Sequence, residues 1–132
     1  MKNNHTKLAL LVAVFILAFG TSTLYASPEH DESAVKAMAN ILMHVNHFPS
    51  SAEKKTLKKI ADDGSNSGHV RAIANAMMHM QHAVSSADRK ALNNIADDSS
   101  ADSDTRELAS ILSHFNHKPS RSDKEKLNDI AH

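Results

Sequence analysis

Apolar side chains recur at helical spacing along the chain, and short polar stretches separate the segments that carry them. The first segment has its apolar residues three and four positions apart, at Val35, Met38, Leu42 and Val45. This spacing places them on one face of an α-helix. No residue from 33 to 47 breaks a helix, and Pro49 is expected to end it, because a residue that precedes proline is pushed out of the helical region. The pattern therefore predicts a first helix that extends to about His47.

A second, more polar helix is predicted directly afterwards. Ser50 is followed by Glu53 three residues later, which is the spacing of a capping box at a helix N-terminus. Leu57 and Ile60 give this helix only a narrow apolar stripe among lysines. Isolated helices of about 12–15 residues are marginally stable in water, so we expect this helix to dock on another one.

The same pattern occurs three times. Shifting the chain by 35 positions aligns segments that begin at Ala37, Ala72 and Glu107, with no gap up to the last residue. Five kinds of position are identical in all three segments, and in the first segment they are Ala39, Ser50, Leu57, Ile60 and Ala61, together with two histidines. A fixed period of 20–50 residues is typical of stacked supersecondary units.

The predicted fold class is therefore all-α. We expect three tandem αα-hairpins, with six helices and a period of 35 residues, packed as a short solenoid or a compact bundle. The units cover about 33–63, 68–98 and 104–132, and together they form a single domain over 27–132. In the second and third units Asp88 and Asp123 take the place of the glutamate, so we expect less complete capping boxes there.

The N-terminal segment has the pattern of a secretory signal peptide. Lys2 and Lys7 precede twelve consecutive apolar residues at 8–19, and a small residue, Ala26, follows a short polar stretch. This is the order of charged, apolar and cleavage regions, and twelve apolar residues are fewer than the ~20 that span a bilayer. We therefore expect cleavage after Ala26, no stable membrane insertion afterwards, and a periplasmic or secreted location.

Composition excludes several classes of protein. The chain has no Cys, which excludes disulfide frameworks, thiol nucleophiles and cysteine metal sites. It has 15 basic and 15 acidic residues, whereas a nucleic-acid-binding domain carries a basic patch. No serine lies in a nucleophile-elbow motif, so we expect no enzymatic activity and no nucleic-acid partner.

Histidine is the residue type that indicates a chemistry. Three H-x-x-H pairs occur at equivalent positions of the units, and they are His44 with His47, His79 with His82, and His114 with His117. Residues three apart share a helix face with Cβ atoms ~5–6 Å apart. Two imidazoles so placed can enter one metal coordination sphere, so all six histidines are candidate metal ligands. On the helical wheel of the first unit the pair lies away from the apolar face.

Two methionines extend the candidate ligand set. Met43 and Met78 lie four residues before the second histidine of their units and off the apolar stripe, whereas Ser113 occupies this position in the third unit. Thioether and imidazole together suit copper(I), and imidazole alone suits zinc, nickel and copper(II). The ligands that would complete a site would come from another unit, from water, or from the aspartate pairs at 62–63 and 97–98.

Two functions fit these observations. The first is a small exported protein that binds copper, zinc or nickel through its histidine pairs, for buffering or delivery; its metal affinity would fall with pH near ~6.5, because a protonated imidazole cannot ligate. The second is a structural or protein-interaction module of the cell envelope. In that case the histidines are corner residues of the hairpins, where an imidazole near a helix C-terminus gains ~0.3–1 kcal/mol from the helix dipole when protonated.

Overall fold

The computed structural model describes residues 28–132, and this part of the chain consists of six α-helices without β-strands. The predicted signal peptide, residues 1–26, lies outside the described residues. The helices are α1 (Pro28–His44), α2 (Ser51–Asp62), α3 (Gly68–His79), α4 (Ser86–Asp97), α5 (Ser103–Ser113) and α6 (Arg121–Ala131). None of these six helices has both the length and the apolar character needed to cross a bilayer. The all-α prediction is confirmed.

Serine caps begin the second helix of each unit. The side chains of Ser50, Ser85 and Ser120 accept a hydrogen bond from the backbone N–H three residues later. The Glu53 carboxylate in turn accepts from the Ser50 backbone N–H at 2.6 Å, which completes the predicted capping box. Asp123 also completes its box, contrary to the expectation of a less complete box with aspartate. The predicted starts of these helices are confirmed.

The cap at Ser85 gives a direct test of this local structure. The Ser85 hydroxyl accepts from Asp88 N at 3.1 Å, so its removal leaves that N–H without its cap. We expect Ser85→Ala to lower the free energy of unfolding by about 0.5–2 kcal/mol, measured by urea denaturation. Ser86→Ala, at the exposed first position of α4, is the matched control and should change stability little. Equal effects of the two substitutions would contradict the capping role.

The helices pair differently from the predicted hairpins. The extensive contacts join α2 to α3, α4 to α5, and α6 to α1, whereas the two helices within a unit touch only slightly. The pairing of α6 with α1 joins the ends of the described chain, so the six helices form a closed bundle and not an open solenoid. Tight polar corners connect two of these pairs: between α2 and α3, Asp63 Oδ1 accepts from Ser65 N at 2.9 Å, and between α4 and α5, Asp98 Oδ1 accepts from Ser100 N at 2.9 Å.

The core is aliphatic except for Phe115, and it lies mainly along α1, α3 and α5, which also contact one another. The predicted stripe of α1 is buried, with Val35 at 2% exposure and Met38 and Leu42 at 0%. The outer helices α2, α4 and α6 each contribute one leucine to the core, at Leu57, Leu92 and Leu127. The bundle thus consists of three inner helices, α1, α3 and α5, and three outer helices, α2, α4 and α6.

Candidate metal centre

The inner helices end earlier than predicted, and this moves the second histidine of each pair into a loop. The helices α1, α3 and α5 end at His44, His79 and Ser113, so the expectation that each H-x-x-H pair shares a helix face was wrong. Proline is not the cause, because the second unit has Val84 where the other units have proline and its helix ends at the equivalent place.

A buried apolar residue follows the first histidine of each pair, at the point where the helix ends. Val45, Met80 and Phe115 are only 4%, 2% and 3% exposed. Met80 has an extended backbone, with φ −63° and ψ 147°. After the helix ends, these side chains remain in the core, and the chain turns across the end of the bundle. The next two residues then place a histidine near the centre of that end.

The second histidines of the three units meet there and form one cluster. The ring centroids of His47 and His82 are 5.2 Å apart, those of His47 and His117 are 5.2 Å apart, and those of His82 and His117 are 4.9 Å apart. One ring nitrogen of each residue lies within 4.8 Å of one nitrogen of each of the others. His47 is half-buried, and His82 and His117 are exposed. We refer to these three residues as the histidine cluster.

Main-chain hydrogen bonds hold the three loops together at the cluster. His47 N donates to the carbonyl of His117 at 2.6 Å, and His117 N donates to the carbonyl of His82 at 2.7 Å. His47 and His117 have left-handed backbones, with φ of 78° and 63°, and Lys118 N donates to Asn116 O at 2.7 Å across the turn at His117. Left-handed conformations cost about 1–3 kcal/mol for residues other than glycine, so this arrangement is maintained against local strain.

The cluster has a donor set that suits a transition metal. Metal–nitrogen bonds of ~2.0–2.1 Å place the nitrogens of three bound imidazoles roughly 3.3–3.6 Å apart. In the structure the three nitrogens lie within 4.8 Å of one another. To reach the spacing of bound ligands, each nitrogen would have to move by about an ångström through rotation of its ring, and the exposed rings have room to rotate. No Asp, Glu or fourth His of residues 28–132 joins this group. A bound ion would therefore have three imidazole ligands and an open position.

The first histidine of each pair lies outside the cluster. His44, His79 and His114 are all exposed. The His44 Nδ1–H donates to the carbonyl of Asn40 at 2.9 Å, within its own helix, and His114 Nε2 lies 3.5 Å from Asp123 Oδ1. The structure thus brings together one member of each predicted pair. Its geometry favours one shared site over three separate sites.

The predicted accessory ligands have other surroundings. Met43 and Met78 are half-buried and pack against the core, which accounts for their apolar character without a metal. Asp63 and Asp98 are held in the corners between outer and inner helices. Hydrogen bonds from Ser65 lower the pKa of the Asp63 carboxyl, and hydrogen bonds from Ser100 lower that of Asp98.

Asp123 links the first histidine of the third unit to a helix cap. Partial burial alone would raise the pKa of the Asp123 carboxyl, but hydrogen bonds from the side chain and backbone of Ser120 and from His114 lower it overall. The carboxylate is therefore ionised at neutral pH, where it caps α6 and accepts from the His114 ring. This contact gives His114 a structural role separate from the histidine cluster.

Glycine substitutions distinguish the backbone role of the cluster residues from their ligand role. His117 is left-handed and His82 is not, and glycine adopts a left-handed backbone at no steric cost. For the metal-free protein we expect H117G to keep the free energy of unfolding or raise it by up to about 1 kcal/mol, and H82G to lower it by about 0.5–1 kcal/mol, measured by urea denaturation. A large loss of stability in H117G would show that the ring itself is needed for folding.

Comparisons with known proteins give no relative from which a role could be transferred. No family model, no curated protein and no solved structure matches this chain. The class that the described residues define is therefore structural: a closed bundle of six helices with three converging histidines at one end.

Proposed function

We propose that this protein is exported and binds one transition-metal ion through His47, His82 and His117. The observation that supports this proposal most strongly is the convergence of one imidazole from each of three sequence units, with nitrogens within 4.8 Å. These residues are 35 and 70 positions apart, so their proximity is a property of the fold and not of the local sequence. The left-handed backbones at two of them add a conformational cost that a binding site would explain.

The donor set favours zinc, copper or nickel. Neutral imidazole suits all three ions, whereas calcium and magnesium prefer oxygen ligands. Two of the three ligands are exposed, so the ion would be accessible to competing ligands in solution. This accessibility supports buffering or delivery of the metal over permanent structural binding.

Calorimetric titration of the untagged protein with Zn(II), Cu(II) and Ni(II) tests the proposal. We expect saturable binding of at least one of these ions. The absence of binding for all three would overturn the metal-binding proposal.

A specific observation favours a second candidate, a metal-free structural or interaction module of the cell envelope. Main-chain hydrogen bonds join the loops at His47, His82 and His117, as a corner that organises the bundle would require. Under this hypothesis the imidazoles fill the end of the bundle, and another envelope protein binds elsewhere on the surface. Unchanged helicity and melting behaviour on adding metal, combined with destabilisation by H117G, would support this alternative.

Export has its own test. The charged, apolar and small-residue order of residues 1–26 supports cleavage after Ala26, in a periplasmic or secreted protein. Expression of the full chain in bacteria should yield, in the periplasmic fraction, a protein whose N-terminal residue is Ser27 by mass spectrometry. Replacing Leu11 and Val14 with arginine interrupts the apolar run and should retain the uncleaved chain in the cytoplasm. An uncleaved N-terminus for the unsubstituted chain would overturn this part of the proposal.

A further inference from the structure

One of the three outer helices is basic, and the other two are not. The helix α2 carries four lysines and two acidic residues, whereas α4 carries two basic and two acidic residues and α6 carries three of each. The excess in α2 comes from two positions at which its counterparts have asparagine or aspartate. These residues are Lys58 and Lys59 in α2, Asn93 and Asn94 in α4, and Asn128 and Asp129 in α6. All six side chains are exposed, so the packing of the bundle does not account for the difference.

The four lysines of α2 form two neighbouring rows along its surface. Lys54 and Lys58 are four residues apart, as are Lys55 and Lys59, and residues at this spacing lie next to each other on a helix. Lys58 pairs with Asp62 at 2.6 Å. The other three lysines form no ion pair with a carboxylate of the described part of the chain. Like charges at this spacing destabilise a helix, and an anionic partner would relieve their repulsion.

An exposed aromatic ring lies at the start of these rows. Phe48 is 56% exposed, the one large hydrophobic side chain exposed in the described residues, and Lys54 Nζ is 5.8 Å from the centre of its ring. The other two units have Ala83 and Lys118 at this position. The first unit thus differs from the other two both in its loop and in its outer helix. We name the differing surface the Phe–Lys face, and it consists of Phe48, Lys54, Lys55, Lys58 and Lys59.

We infer that the Phe–Lys face binds the surface of a membrane that contains anionic phospholipid. Lysine ammonium groups near such a surface are attracted by the lipid phosphates, and an exposed phenylalanine beside them can enter the boundary between headgroups and acyl chains. An acidic protein would attract the same lysines, but it gives no reason for an exposed aromatic ring among them. This inference goes beyond metal binding and does not depend on the histidine cluster. It rests on the proposed function only for cleavage after Ala26.

Co-sedimentation of the processed chain, beginning at Ser27, with phospholipid vesicles tests the inference. We expect binding to phosphatidylglycerol vesicles at low salt, and binding about tenfold weaker both to phosphatidylcholine vesicles and at ~0.5 M NaCl, because salt screens exposed charges. Absence of binding to phosphatidylglycerol vesicles would overturn the inference and leave the metal-binding and export proposals intact. Binding to soluble polyglutamate but not to vesicles would overturn it in favour of an acidic protein partner.

The mass of the exported chain distinguishes failure of this inference from failure of the export proposal. A chain that keeps residues 1–26 would overturn both, because the apolar run at 8–19 would then hold the protein at the membrane in place of the Phe–Lys face.

The repeats supply a matched pair of variants. Lys58→Asn with Lys59→Asn gives α2 the residues that α4 has at these positions, and we expect it to weaken binding to phosphatidylglycerol vesicles at least fivefold. Arg89→Asn with Lys90→Asn removes two exposed positive charges from α4 and should change binding less than twofold. Equal weakening by the two variants would show that binding follows the net charge of the protein, and it would overturn the assignment to the Phe–Lys face.

A fluorescent probe tests the contact of the aromatic ring with lipid. The chain contains no tryptophan, so Phe48→Trp places a single indole at the start of the lysine rows. We expect its emission to shift to shorter wavelength when phosphatidylglycerol vesicles are added, and to be quenched by brominated acyl chains. Vesicle-bound protein with unshifted emission would contradict entry of this side chain into the membrane surface.

Discussion

Replacing any one of His47, His82 and His117 with alanine is expected to weaken Zn(II) binding about a hundredfold or more. Each substitution removes one of three converging donors, and the loss of an outer-shell partner already costs 10–100-fold in metal affinity. Competition with a chromophoric zinc chelator measures the affinity. Circular dichroism of the same samples checks that the helices are retained, since two of the three side chains are exposed and contribute little to the core.

The first histidines of the pairs provide a matched control. His44, His79 and His114 have the same chemistry, lie three residues away in the sequence and are exposed outside the cluster. Replacing all three with alanine should change zinc affinity less than threefold. If this triple substitution weakens zinc binding as much as a single substitution in the cluster, the ligands are the H-x-x-H pairs and the converging site is wrong.

Metal binding is also expected to raise the melting temperature strongly. The cluster joins residues 35 and 70 positions apart, so the site exists in the folded chain and is lost on unfolding. Zinc at a hundred times its Kd should add about 2.7 kcal/mol to the free energy of unfolding. For a domain of this size that corresponds to an increase of about 10–20 °C, measured by the loss of helical circular dichroism on heating.

The variant H82A isolates the cluster as the source of this stabilisation. Its melting temperature should be nearly independent of zinc, while that of the unsubstituted protein rises with zinc concentration. The same increase in H82A would mean that zinc stabilises the fold from another place, such as the exposed first histidines.

The helices were largely predictable from the sequence, and their pairing was not. The apolar stripe Val35, Met38 and Leu42 and the cap at Ser50 are local patterns, and local patterns determine where helices form. The choice between packing α2 on α1 or on α3 depends on the geometry of two connections of similar length. The tight turn at Asp63 and the loop at His47 differ in backbone conformation, which the residue types alone do not specify.

The sequence predicted which histidines are candidate ligands, but it did not predict which of them come together. Histidine at equivalent positions of three units indicated metal binding, and the structure retains His47, His82 and His117 as candidates. The pairwise interpretation assumed that the helix continues through His47, whereas α1 ends at His44 and His47 lies in the loop that follows. If the three units had been known to form a closed bundle, the meeting of equivalent histidines could have been predicted. The closure depends on the packing of α6 on α1, and these helices are far apart in the sequence.

The number of zinc ions bound per monomeric chain at saturation tests the central claim most directly. Native mass spectrometry of the untagged protein in excess Zn(II) should show one specifically bound ion, retained in the His44, His79 and His114 triple variant and lost in H47A, H82A and H117A. Three ions per chain, removed one at a time as each H-x-x-H pair is substituted, would contradict a single site built from three units.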